Sequence, residues 1–353
     1  MASYYVDPSI NANSGSGTIG DPYGDLQYAL DNITGSTAGN VINIKAGTAE
    51  VLTGTLDFTT YGTPSYNNNP VTFAGYTAAE GDGGIGEIDG DGLYAIINES
   101  TAEGVWFRDL IMGNCGSNVV LTLDRFGGMY NCKIHGTTGN GLAGWSDGGF
   151  VENCWFDDIG GYASTSANQF YNCLFTDGAT NTFGSRILSG PASVVRCCFN
   201  YSGSTTAVLQ SARAIMVAQN SFYATGTTAI HVSLRSIRTG VIRQNLFEGG
   251  DHALFYNVGE HLAGAVKNNS FFNIANGFYG NTADLEDIHT IGHDSLGSSP
   301  FAKSGSISSF ADRLTYFAPN DVGDVLTGED NVVRGAVQPT SSGGGASSYS
   351  FFS

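Results

Sequence analysis

Between about Gly104 and Gly280 one short phrase keeps returning. It reads Phe107-Arg108-Asp109-Leu110-Ile111, Tyr130-Asn131-Cys132-Lys133-Ile134, Glu152-Asn153-Cys154-Trp155-Phe156 and Tyr171-Asn172-Cys173-Leu174-Phe175, then Arg196-Cys197-Cys198-Phe199, Gln219-Asn220-Ser221-Phe222, Gln244-Asn245-Leu246-Phe247 and Asn268-Asn269-Ser270-Phe271. With Asp109, Cys132, Cys154, Cys173, Cys197, Asn220, Asn245 and Asn269 as anchors, neighbours lie 23, 22, 19, 24, 23, 25 and 24 residues apart. A period of this length is that of a solenoid turn, so the chain is built by stacking rather than by packing layers.

Large apolar residues stand two positions after every anchor, from Ile111 and Ile134 to Phe271, and three before it, from Trp106 and Met129 to Val266. A third apolar column follows at Leu142, Ile230, Leu254 and Phe278. These are residue types that suit pleated backbone, and each turn holds about three short strands. Helical repeats would need apolar residues at three- and four-residue spacing and far less than 50 Gly. The pattern predicts an all-β chain, a right-handed parallel β-helix whose turns stack at about 4.8 Å. The anchors fall where the chain bends inward between two strands. Stacked Asn side chains there can bond amide to amide, and Cys fills the same small slot as a compact hydrophobe.

Four segments follow. Residues 1–40 form an N-terminal cap, in which Pro22 opens a short helix reaching about Asn32 with Leu26, Ala29, Leu30 and Ile33 on one face. Residues 41–283 carry about ten turns of β-helix, 284–339 an irregular C-terminal cap, and 340–353 a flexible Ser/Gly tail with an aromatic tip. The stretch Tyr4-Tyr5-Val6-Asp7-Pro8, then Pro22-Tyr23 with Leu26-Gln27-Tyr28-Ala29-Leu30, then Ile42-Asn43-Ile44-Lys45-Ala46-Gly47-Thr48 resembles the opening of pectin-lyase-like right-handed parallel β-helix proteins. With the repeated phrase the resemblance covers about residues 3 to 290. The closing segment, Tyr316-Phe317-Ala318-Pro319-Asn320-Asp321 and Arg334-Gly335-Ala336-Val337-Gln338, resembles those of β-helix proteins that include phage-encoded ones.

A formal charge of −18, from 32 acidic and 14 basic residues, opposes binding to nucleic acid or to an anionic membrane. No stretch has the length of a membrane span, and the first residues lack a basic and an apolar region, so Sec export is not expected unless a leader has been removed. The six Cys show no zinc spacing and are expected reduced and buried. No cofactor fingerprint and no metal-binding pattern occurs, and the acids Glu80, Asp82, Glu87, Asp89 and Asp91 read as solvated turn residues.

The resemblance implies polysaccharide chemistry along stacked outward positions. Asp158 and Asp177, two positions past the Phe column in successive turns, are the candidate catalytic pair, since in register they would stand about 5 Å apart. Trp145, Trp155 and Tyr162 are candidate sugar-binding residues. Arg213, Arg235, Arg238 and Arg243 are the basic cluster a lyase would need, without an accompanying Asp column. The residue after each anchor is apolar in half the turns, which predicts a subunit interface or a covering loop there. Trp155, Leu174 and Leu246, with Phe351 and Phe352 at the tip, are candidate interface residues.

The leading expectation is a structural or adhesion protein of a bacteriophage particle, a tail spike, fibre or head decoration. It would be a homotrimer held with other virion proteins, with host surface polysaccharide as a ligand. The alternative is a glycosidase or lyase on the same scaffold. A virion location stands beside a secreted or cell-surface one.

Overall fold

The computed structural model describes residues 1–320, apart from 11–12, 66, 125–126, 145–148, 166–167, 185, 203–206, 212–214, 227–229, 235–238, 257–262, 277–278, 281–288, 292–293, 297 and 319. Within these residues the chain winds as a parallel β-helix with three faces. The first face is a sheet of 12 strands that begins with Ala2–Val6, Asn40–Lys45 and Val71–Tyr76 and ends with His289–Ile291. The second has 11 strands, from Glu50–Val51 to Asp294–Ser295. The third is split into sheets of three and five strands, joined through bridges from Ser164 to Leu142 and to Leu188. Every strand pair is parallel, each turn lying directly on the one before, as in Phe156 beside Phe175 and Phe175 beside Phe199.

The core follows from the pleat. In each strand alternate residues point inward, and apolar side chains there stack on their counterparts one turn away. Phe175 and Phe199 lie 4.6 Å apart at 4°, Phe199 and Phe222 4.7 Å at 4°, and Phe222 and Phe247 4.9 Å at 12°. Burying one such ring contributes roughly 1.5–3 kcal/mol, and ring stacking adds about 0.5–1.5 kcal/mol.

The bend between the first and second faces carries the anchor column. Asn220 Nδ2 donates to Asn245 Oδ1 at 3.0 Å, and Asn245 Nδ2 to Asn269 Oδ1 at 2.9 Å. The same oxygens also accept backbone N–H groups of the preceding turn, and the amides donate to carbonyls such as Val217 O, so these buried groups are paired. The Cys column continues this slot: Cys173 N donates to Cys197 Sγ at 3.4 Å. All six cysteines are free and buried. Burial pushes the Cys154 and Cys197 thiols far up, and those of Cys115 and Cys198 up to about 12.

The first copy of the phrase is shifted by one residue from its expected place. Met129 lies beside Phe107 and Ile134 beside Met112, so Leu110, not Asp109, is the inward anchor. Asp109 has φ 56° and stands in a column of left-handed bend residues with Asn131, Asn153, Asn172, Arg196, Gln219, Gln244 and Asn268. A slip of one residue reverses every side chain, so Trp106 points outward and Phe107 inward.

The helix spans Leu26–Asn32, beginning four residues after Pro22, and is capped by Asp25, whose carboxylate accepts from Tyr28 N at 2.5 Å. Leu26, Ala29 and Leu30 are buried by it. Residues 2–6 pair with 40–44 and so already form the first strand of the stack. Trp145, Arg213, Arg235, Arg238, Phe278, Phe351, Phe352, the tail 340–353 and residues 321–339 of the C-terminal cap lie outside the described residues.

Candidate functional site

The second face is covered along part of its length by the chain's own C-terminal segment. Phe301 and Phe317 pack with Trp155, Leu174, Cys198 and Leu246 in one buried cluster, bordered by Tyr223, Ile307, Phe310 and Tyr316. This strap contains a short 3-10 turn, Phe310–Asp312, and the helical turn Arg313–Tyr316. Lys303 Nζ meets Glu248 Oε1 at 2.5 Å, and Arg313 donates to Asn172 Oδ1 at 3.2 Å and lies over the Phe310 ring. Of the two readings of the apolar strip, the covering loop is the one observed. Trp155, Leu174 and Leu246 are therefore buried within the chain and not displayed to a second subunit.

Trp155 is 8% exposed and its indole N–H donates to Thr176 Oγ1 at 2.7 Å, so its ring is not open to a sugar. Tyr162 is half-buried, with its backbone N–H on Asn140 Oδ1 at 2.8 Å.

The candidate carboxylates hold turns. Asp158, itself at φ 55°, accepts from Thr180 N at 3.0 Å and Asn181 N at 2.5 Å. Asp177 accepts from Phe183 N at 2.9 Å through one oxygen and from Ser202 N at 2.6 Å and Ser202 Oγ at 3.0 Å through the other. Each is thus tied to backbone amides. Asp82 behaves likewise: it accepts from the amides of Thr77, Ala78, Ala79 and Gly84, which hold its carboxyl well below the usual range.

Before the strap begins, the second face leaves a group of ionisable side chains partly open. Lys133 Nζ sits 3.8 Å above the Trp155 ring and 3.1 Å from Asp157 Oδ2. His135 lies beside Asp157 in the next turn, and Glu87 is in register with Ile111, one turn before Lys133. Burial, with Lys133 adding to it, depresses the His135 pKa against the opposing pull of Glu87, Asp157 and Asp158. Among the described residues no three His, Cys, Asp or Glu side chains converge to hold a metal ion.

The first face is different. Trp106, Tyr130 and Phe150 are 42%, 47% and 38% exposed, in three successive turns. Gly128 stands in register between Trp106 and Phe150.

No family model matches the chain, and no curated protein matches it. Among solved structures, the pectate lyase Pel9A aligns over 96% of this chain and 97% of its own, with a TM-score of 0.54 and 13% identity. The chain has the pectin-lyase-like right-handed parallel β-helix fold. A rhamnogalacturonan lyase (13% identity, 87% and 88% covered, TM-score 0.44) and the pectin methylesterase from carrot (15%, 84% and 83%, 0.37) also align with this chain.

Of the aromatic row on the first face, the repeat pattern places Trp106 in the core and does not single out Tyr130 or Phe150. Aligning Asp109 with Cys132 turns Trp106 inward. The signal was present: Asp109 is a polar bend residue like Asn131 and Asn153, and matching it to them turns Trp106 outward.

Proposed function

We propose that this chain is a non-catalytic, polysaccharide-binding β-helix on the surface of a virus particle, of tail spike, fibre or head decoration type. The observation that carries the reading is the state of Asp158 and Asp177. Both carboxylates are engaged by backbone amides of neighbouring turns, which suits turn formation and leaves neither placed as a general acid. The fold is shared with polysaccharide-degrading enzymes such as the pectate lyase. The long solenoid, its outward aromatic residues and the phage-like closing residues supply the rest of the argument. A trimer remains part of the proposal, with contacts away from the strip that the strap covers.

The test is to pair Asp158→Asn and Asp177→Asn and compare binding and hydrolysis on host surface polysaccharide. Unchanged binding, no release of reducing ends by either protein, and the chain's presence in purified particles are expected. Depolymerisation abolished by the double variant would overturn the reading.

A second reading, a polysaccharide-degrading enzyme, is favoured by one observation: Lys133, His135 and Asp157 share the open part of the second face with Glu87. It predicts depolymerising activity that His135→Ala and Lys133→Ala abolish. The absence of activity on all host glycans would remove it.

A further inference from the structure

The outward surface of the first face is built around an unusual placement of Trp106. A side chain on Gly128, one turn away, would have its Cβ 2.2 Å from Trp106 Cζ3 and 2.4 Å from Cε3. The benzo ring of Trp106 therefore occupies the slot that residue 128 leaves empty, lying along the solenoid axis against the sheet with its outer side in solvent. Phe150 takes the same outward position in the following turn, next to Gly128. On the other side of the ring, a shallow hollow is lined by Met1, Pro70, Thr72 and Trp106, Thr72 being in register with Trp106. Hollow, indole and phenyl thus form one strip across four successive turns. Tyr130, in the parallel outward column, borders it.

We infer that this strip is a binding site for a neutral, equatorially linked polysaccharide whose chain runs along the solenoid axis, with Trp106 as the central stacking platform. This rests on the reading of the protein as a polysaccharide binder. Three features choose the ligand. Successive turns repeat at about 4.8 Å, close to the length of one pyranose in an extended chain, so sugars and turns stay in step over several repeats. A ring held against a sheet presents one broad apolar side, which matches the C–H side of a flat, equatorially linked sugar ribbon and is already ordered before binding. Beside the strip, one cation faces two carboxylates. Arg108 and Glu152 occupy the same outward column as Tyr130, and Arg108 Nε lies 3.5 Å from Asp109 Oδ2. On a chain of formal charge −18, a strip with no surplus of cations does not favour an anionic sugar.

The glycine supplies a second handle besides the tryptophan. Gly128 has no left-handed backbone requirement, so Gly128→Ala is compatible with the strand and acts only by lifting the indole off the sheet.

The experiment is affinity electrophoresis of the full chain in gels containing hydroxyethylcellulose, soluble β-1,4-mannan or polygalacturonate, with circular dichroism confirming the fold of each variant. Retardation by a neutral polymer is expected, weakened about five- to tenfold in Trp106→Ala and in Gly128→Ala. Retardation by a neutral polymer that both variants retain in full would overturn the platform while leaving a polysaccharide binder. So would retardation by polygalacturonate alone. Retardation by none of these polymers nor by host surface polysaccharide would overturn the platform and the binding function together. If Trp106→Ala instead converts an oligomer to a monomer without any glycan effect, the strip is an interface between copies and the inference fails.

Discussion

Lys303 Nζ lies 2.5 Å from Glu248 Oε1, joining the C-terminal strap to a strand 55 residues earlier. Glu248 is buried, Ser299 Oγ donates to its other oxygen at 2.8 Å, and the Lys303 ammonium also rests over the Tyr223 ring at 4.7 Å. The strap is thus fastened by a shielded ion pair at one point and by Phe301 and Phe317 along its length. Removing an aromatic anchor should loosen it. Phe317→Ala is expected to cost about 3–5 kcal/mol in strap docking, shift Trp155 emission to the red and open residues 299–318 to protease. Unchanged emission and protease resistance would show that the strap is held by other contacts.

The asparagine ladder has a testable hierarchy. In Asn245→Ala the backbone N–H of Asn220 and the carbonyl of Val217 each lose a buried partner, at about 1–3 kcal/mol apiece. Asn245→Cys should cost less, because Cys197 Sγ already accepts the Cys173 N–H in the same column. Urea titration of both variants gives the order, and an alanine variant as stable as the cysteine one would contradict it.

Two buried titratable groups act in opposite directions on stability. Burial lowers His231 to about 4, its ring held between the Tyr201 hydroxyl and the Gly249 carbonyl. The unfolded chain takes up a proton first, near the ordinary value of 6.5, so stability is full above that pH and is lost as pH falls toward 4. Burial raises Glu50 to about 7, although Leu26 N donates to it at 2.9 Å. Here the folded state binds the proton more tightly, so its contribution is full below about 4.5 and is lost as pH rises through 7. Glu50→Gln should therefore stabilise the chain at pH 8 by on the order of 3 kcal/mol and leave it nearly unchanged at pH 4. Melting temperatures at the two pH values measure the difference, and an equal shift at both would contradict the assignment.

The thiols give a direct view of the core. With all six cysteines free and buried, a chromogenic thiol reagent should find none reactive in the native chain and six after denaturation. Fewer than six in the denatured, unreduced protein would mean that stacked thiols had bridged.

The period, the inward Phe and Asn columns and the helix at Leu26–Asn32 were legible in the sequence because each turn repeats the same pleat against the same neighbours. The first turn was not read in register, since Val105-Trp106-Phe107 is apolar in both phases and periodicity cannot choose between them. The strap was legible only as an expectation that something covers the outward strip. Its contacts, such as Arg313 with Asn172, link residues 141 apart and leave no local pattern. Spacing suggested that the candidate carboxylates stack, but strand pairing ends at Asp157 with Thr176, and their engagement by the amides of Thr180 and Ser202 depends on loop paths that spacing does not encode.

A β-helix that binds polysaccharide without cleaving it should hold purified host surface polysaccharide intact when the full chain is incubated with it. Binding is then read by co-elution and polymer length by size-exclusion chromatography. Co-elution with an unchanged polymer length is the predicted result; a polymer shortened with time, or a chain that never co-elutes with it, would contradict the claim.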